Sequence, residues 1–213
     1  MTTPAWVLLA CFFVVAPLDW LSRWYQLRRA EIVTKPAATA LLVGVAVTLD
    51  PTAHDVRAAF VIALVASLIG DVLLLDDSMF VAGLAAFLAA HAAYIVGFLL
   101  IDSWHWWYVV ASAVPIALVA SIVGRPILSA THARTMTLRV GVRVYLVAIL
   151  AMFACACGAG GAALIAGAAL FVVSDSLLGW RQFVADHTGA PLRTGVMVTY
   201  HLAQLLLTLS LVW

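Results

Sequence analysis

Charge is what this chain has least of. Asp, Glu, Lys and Arg together make up 10% of its 213 residues, while apolar side chains make up 66%. Soluble globular chains carry about 25% charged residues, and one this apolar lacks the polar surface to clothe its core. The scarcity excludes a soluble enzyme or binding module and predicts an integral membrane protein. Lysine and glutamate occur once each, and Lys35 stands alone against ten arginines. The net charge of +1 offers no basic excess, and no nucleic-acid partner is expected. Cysteine is sparse as well. Cys11, Cys155 and Cys157 all lie in apolar runs, with no His or further Cys at metal-ligand spacing, so they read as buried free thiols. Zinc spacings, phosphate loops and nucleophile elbows are missing too. Ser67, Ser174 and Ser176 lack the surroundings of a serine nucleophile. No metal and no cofactor is expected.

What is present is apolar sequence in spanning lengths. About 20 residues cross a bilayer as a helix, and eight segments qualify: 5–21, 35–50, 57–75, 80–101, 106–124, 138–157, 159–180 and 194–213. The expectation is an all-α polytopic membrane protein of about eight transmembrane helices, forming one transmembrane domain over 1–213. Turn or polar signals separate the segments at Arg23–Arg29, Asp50-Pro51, Asp76-Asp77-Ser78, Asp102–His105, Arg125-Pro126, Gly158–Gly161 and Asp186–Arg193. The first run, Pro4–Leu18, has neither a basic leader nor a small-residue cleavage pattern, so it reads as a span and not as a signal peptide. Basic residues gather on alternate connections: Arg23, Arg28, Arg29, Lys35, then Arg125, Arg134, Arg139, Arg143, then Arg181 and Arg193, leaving only Arg57 on the other side. By the positive-inside rule these connections are cytoplasmic, both termini are extracytoplasmic, and the host is the cell (inner) membrane. Trp104, Trp106, Trp107 and Tyr108 would mark the outer interface.

Two aspartates break the apolar runs in matching frames: Ser-Leu-Ile-Gly-Asp71-Val-Leu-Leu-Leu and Phe-Val-Val-Ser-Asp175-Ser-Leu-Leu-Gly. An ionisable group at the bilayer centre costs roughly 2.5–3.5 kcal/mol on insertion scales, so it normally has a partner and a task. The two lie 104 residues apart, as do Lys35 and Arg139. Spans three and seven run in the same direction, so the halves fit a possible 4+4 parallel internal repeat. Each Asp is expected near the cytoplasmic end of its span, with Lys35-Pro36 at the start of span two, where Pro suits a first helical turn. His91 and Tyr94, three apart, share a face of span four; Tyr200 and Gln204, four apart, share a face of span eight, with His201 turned away.

One polar pocket open toward the cytoplasmic leaflet accounts for all of these. Each also has a bland reading. The aspartates would pin helices, His91 would be a neutral packing histidine, Tyr94 and Tyr200 ordinary aromatics, and Lys35 a snorkelling anchor. His201 and Gln204 would bond between helices. Gly44, Gly83, Gly97 and Gly167 read as close-packing sites, and His54, His105, His132 and His187 as solvated loop residues.

The combination Lys35-Pro36, Gly70-Asp71-x-x-Leu74, Phe80-x-x-Gly83-x-x-x-Phe87-x-x-x-His91-x-x-Tyr94, Gly167-Ala-x-x-Phe171-x-x-Ser174-Asp175 and Tyr200-x-x-Ala203-Gln204 resembles the YhhN-like family, which includes the mammalian lysoplasmalogenases. The resemblance implies about eight helices and hydrolysis of the vinyl ether bond of alkenyl lysophospholipids, to a fatty aldehyde and a glycerophospho-alcohol. Such hydrolysis needs an acid to protonate carbon and a group to stabilise the cation formed. Two carboxyl groups in one site divide such roles between them, so Asp71 and Asp175 are the candidate catalytic pair, in either order. Lys35 would bind the substrate phosphate, and His91, Tyr94, Tyr200 and Gln204 would orient the site. The expected partners are the lysophospholipid and membrane lipid. A proton- or cation-coupled carrier is the rival reading, since such proteins also use paired aspartates in repeats. A non-catalytic lipid-binding protein is a third.

Overall fold

In the computed structural model of the chain, residues 1–50, 53–185 and 189–212 are described. Pro51 of one turn signal, Asp186 and His187 of another, and Trp213 at the end of the eighth expected span lie outside the described residues.

Eight long apolar helical spans are present. They are α1 (Thr3–Trp24), α2 (Arg28–Thr48), α3 (His54–Leu73), α4 (Phe80–Leu99), α5 (Trp106–Val119), α7 (Met136–Ala159), α8 (Ala162–Phe183) and α9 (Ala190–Leu209). A π-helical segment, Ala120–Gly124, joins α5 to the short α6 (Arg125–Ala130) and completes the fifth span. Among the described residues no strand occurs. The α1–α2, α3–α4, α6–α7 and α8–α9 connections share one end of the bundle, which carries most of the basic residues and is called the basic end below.

Two boundaries differ from expectation for identifiable reasons. Helix α2 begins at Arg28, not near Lys35, because Glu31 pairs with Arg23 (3.2 Å) and Arg28 (3.0 Å) and extends the helix by two turns. Pro36 is therefore inside α2, where it removes one i→i−4 hydrogen bond. Pro17 inside α1 and Pro115 inside α5 do the same. Helix α3 stops at Leu73, leaving Asp71 in its last turn, while α8 runs on to Phe183, two turns past Asp175. The α3 stop is followed by a turn in which Asp76 accepts a hydrogen bond from the Ser78 amide at 2.9 Å. The break between the sixth and seventh spans is set by Gly160 and Gly161, whose φ values of 80° and 85° favour glycine.

The helices pack as hairpins: α1 on α2, α3 on α4, α8 on α9, with α4 also against α7 and α9 against α1 and α2. Close approach is bought with small residues, as is usual where lipid removes the hydrophobic drive between helices. A Cβ on Gly70 would stand 2.6 Å from the Phe87 ring, and one on Gly97 would stand 2.7 Å from Phe60. On the side away from the basic end lies a buried aromatic layer. Phe60 meets Tyr94 edge-on at 5.1 Å and Phe98 at 5.6 Å, and Phe171 lies 6.3 Å from Tyr94. By contrast α5 faces outward, with Ser112 its only buried residue.

Candidate functional site

Below the aromatic layer, toward the basic end, the bundle buries a chain of polar side chains. Asp71 is saturated. Its Oδ2 accepts hydrogen bonds from the Thr39 hydroxyl at 2.6 Å and the Tyr200 hydroxyl at 2.8 Å, and its Oδ1 faces the Lys35 ammonium at 3.5 Å. Lys35 and Thr39 sit four residues apart on α2 and so present one face to α3. The early start of α2 carries Lys35 two turns inward, where it is buried and paired with Asp71.

Asp175 is held differently. Its Oδ2 accepts a hydrogen bond from Tyr145 of α7 at 2.6 Å. His91 Nε2 stands 3.4 Å from the same oxygen, near enough for an ion pair when protonated but off the line of a hydrogen bond. Among the described residues no Lys or Arg pairs with Asp175. It is also the more open carboxyl, its side chain 9% exposed against 1% for Asp71.

Both aspartates line one cavity at the basic end, of about 580 Å³ counted to its open mouth. Lys35, Tyr200 and Phe87 form its floor, and Arg23, Arg181, Asp76 and Asp77 stand around it. Asp76 lies outside the spans, and hydrogen bonds from the Ser78 hydroxyl and amide hold its carboxyl below the usual range. The aromatic wall between the carboxylates is continuous. Phe87 and Phe171 each meet Tyr200 edge-on, at 5.7 and 5.6 Å, and His91 packs on Phe171 and Tyr145, both at 5.0 Å.

The remaining expected residues fall into place around this wall. Tyr94 donates a hydrogen bond to Gln204 Oε1 across α4 and α9. Tyr200 and Gln204 share the inner face of α9, and His201, turned away from them, accepts a hydrogen bond from the Trp20 indole at 3.0 Å. Three participants were not foreseen. Thr39 was legible as the i+4 neighbour of Lys35. Tyr145 is a lone phenol in an apolar span and gave no signal of its own. Asp19 was legible as a third acid in an apolar run; it is fully buried on α1 and accepts a hydrogen bond from Thr34 at 2.9 Å.

The contacts obey the expected repeat in part. Asp71 on span three is held by span two and span eight, and Asp175 on span seven by span six and span four. Advancing each partner by four spans, cyclically, turns one set into the other. The cations break the symmetry, because Arg139 is half-buried and bonds backbone carbonyls of His132 and Arg134 while Lys35 is buried against Asp71.

Among the described residues no group of His, Cys, Asp and Glu is arranged to hold a metal ion. The fold and this site define a multi-pass helical membrane protein with a polar cavity sunk into one end of the bundle. Over residues 30–211 the sequence matches the YhhN family, and the chain belongs to that family. Arg23 and Asp19 precede the matched region. No curated protein and no solved structure matches the chain.

Proposed function

We propose that the protein is a membrane-embedded hydrolase of the lysoplasmalogenase type, cleaving the vinyl ether bond of alkenyl lysophospholipids by carboxylic-acid catalysis. The observation that carries this reading is that two intramembrane carboxyl groups open on one cavity in unequal settings, Asp71 ion-paired with Lys35 and Asp175 with no Lys or Arg partner among the described residues. Acid–base pairs are built by such inequality.

Asp175 is the proton donor. It passes its proton to the vinyl carbon remote from the ether oxygen, and the electron pair of the C=C bond forms the new C–H bond. The positive charge left behind is shared between the neighbouring carbon and the ether oxygen. Asp71 faces the same cavity and offsets that charge, a kind of electrostatic stabilisation strongest where water is scarce. Water from the open mouth adds to the cationic carbon and gives a proton back to Asp175. The hemiacetal hydroxyl then gives up its proton and forms the aldehyde C=O as the bond to the glycerol oxygen breaks, and that oxygen takes up a proton, releasing aldehyde and glycerophospho-alcohol. Tyr145 and His91 position Asp175; Thr39 and Tyr200 position Asp71; Tyr94 and Gln204 tie α4 to α9 above them. Lys35 is engaged with Asp71 and Arg23 with Glu31, so Arg181 at the mouth is better placed for the substrate phosphate. The positive-inside rule puts this mouth at the cytoplasmic leaflet.

The purified protein in detergent should release long-chain aldehyde from an alkenyl lysophospholipid. Asp175→Asn should abolish release while the protein still folds, and Asp71→Asn should lower kcat by about a hundredfold or more, the scale of losing one oxyanion-hole-type contact. Full activity in both variants sinks the acid pair. The carrier reading predicts instead proton or solute flux in reconstituted vesicles, sensitive to the same variants. The buried layer of Phe60, Tyr94, Phe98 and Phe171 between the cavity and the far end of the bundle disfavours it.

A further inference from the structure

The polar cavity is not isolated. Its wall residues Phe80, Asp175 and Leu178 also line a second, apolar groove that opens to the surface. That one is walled by Val123, Gly124 and Ile127 of the fifth span, Val142, Leu146 and Ile149 of α7, and Val172 and Gly179 of α8. It shares Val119 and Val172 in turn with a third, smaller cavity, which continues between Pro115, Leu150, Phe153 and Ala169. The three adjoin one another through these shared residues, polar at the basic end and apolar beyond Asp175. Two glycines on the walls let neighbouring side chains pack close: a Cβ on Gly124 would meet Leu146 at 2.9 Å, and one on Gly179 would meet Ile127 at the same distance.

We propose that this groove between the fifth span, α7 and α8 is the binding site for the hydrocarbon chain of the substrate, a single unbranched alkyl chain, with Asp175 at the junction where the chain meets the headgroup. The proposal rests on the hydrolase reading above and deepens it. From Val142 to Phe153 on α7 the groove covers about 16 Å at 1.5 Å per residue, the length of an extended chain of roughly a dozen carbons. Its lining is mostly apolar. A vinyl ether is the first two carbons of such a chain. A chain lying in the groove with its phosphate end in the polar cavity therefore sets its reactive carbons beside Asp175 and not beside Asp71. The outward-facing α5, with its π-helical break, forms the lipid-side wall, so the chain enters laterally from the bilayer.

Two measurements test this. Ala169→Phe places a ring in the deep end of the groove, well away from both carboxyl groups. It should lower kcat/KM for a substrate of roughly sixteen carbons about tenfold or more and leave one of roughly eight carbons nearly unchanged, since each displaced methylene forfeits its transfer free energy. An equal effect on both lengths overturns the proposal. The second measurement needs neither catalysis nor a variant. A lysophospholipid with a photoreactive diazirine at the chain terminus should label the wild-type protein at Pro115, Leu150, Phe153 or their neighbours, and excess unlabelled lysophospholipid should suppress that labelling. Labelling confined to other helices, or labelling of the groove that excess lysophospholipid does not suppress and that ordinary bilayer lipid therefore explains, overturns it. Groove labelling without aldehyde release would retain the chain site and discard the hydrolase reading; aldehyde release without groove labelling would do the reverse.

Discussion

The Lys35 ammonium stands 3.5 Å from Asp71 Oδ1, and both side chains are buried. Replacing one partner of such a pair leaves an uncompensated charge and costs about 3–5 kcal/mol, whereas replacing both with apolar or neutral groups is often close to neutral. Lys35→Met should therefore destabilise the protein strongly. The double variant Lys35→Met/Asp71→Asn should recover most of the loss, although it remains inactive. Thermal unfolding in detergent measures both. Equal stability of the single and double variants would show that the ion pair is not coupled as its geometry requires.

This pair also shows how far the sequence could be read. Eight spans follow from apolar run lengths alone, because a bilayer fixes the length of a crossing helix. Asp71 and Asp175 stand out because carboxyl groups are costly in hydrocarbon. The meeting of Lys35 with Asp71 was not legible, because it depends on where α2 begins. That point is fixed by Glu31 bridging Arg23 and Arg28, a contact between α1 and α2 that no local propensity encodes. Tyr145 was hidden for the same reason: a phenol in an apolar helix has a purpose only once α7 is laid against α8.

The hydroxyls around the two carboxyl groups differ in redundancy. Asp71 Oδ2 accepts from both Thr39 and Tyr200, while among the described residues Asp175 Oδ2 has Tyr145 as its one hydrogen-bond donor. Removing one hydrogen bond typically costs about 1 kcal/mol of stability. Tyr145→Phe should cost that much and lower kcat by about tenfold or more, with KM little changed, because the proton donor loses its orientation. Thr39→Val should have a smaller effect on kcat, since Tyr200 still holds the same oxygen. Initial rates of aldehyde release compare the two. A larger loss in Thr39→Val would reverse the assignment of Asp175 as donor.

Gly70 precedes Asp71 and lies under the ring of Phe87, where an added Cβ would come within 2.6 Å. The ring cannot retreat freely, since it packs edge-on against Tyr200 at 5.7 Å and Phe171 at 6.5 Å. Gly70→Ala should therefore cost about 1–3 kcal/mol, the usual penalty for overpacking, and should disturb Asp71 through its Tyr200 partner. The companion Phe87→Leu should relieve the clash. If the double variant regains stability but not activity, the aromatic wall shapes the site as well as filling the core.

The leaflet on which the cavity opens decides where substrate comes from, and charge alone makes that assignment. The basic end carries the connections bearing Arg28, Arg29 and Arg134, while Asp102 and the exposed Trp106 and Trp107 lie at the other. By the positive-inside rule such asymmetry predicts a cytoplasmic basic end. In a background with Cys11, Cys155 and Cys157 replaced by alanine, a membrane-impermeant maleimide should label Asp102→Cys on intact cells. It should reach His132→Cys only after permeabilisation. Both wild-type side chains are exposed, so neither change disturbs packing. The opposite pattern would turn the cavity mouth, and with it Arg23 and Arg181, toward the outer leaflet. Substrate would then be drawn from outside the cell, with the chemistry at Asp175 unaltered.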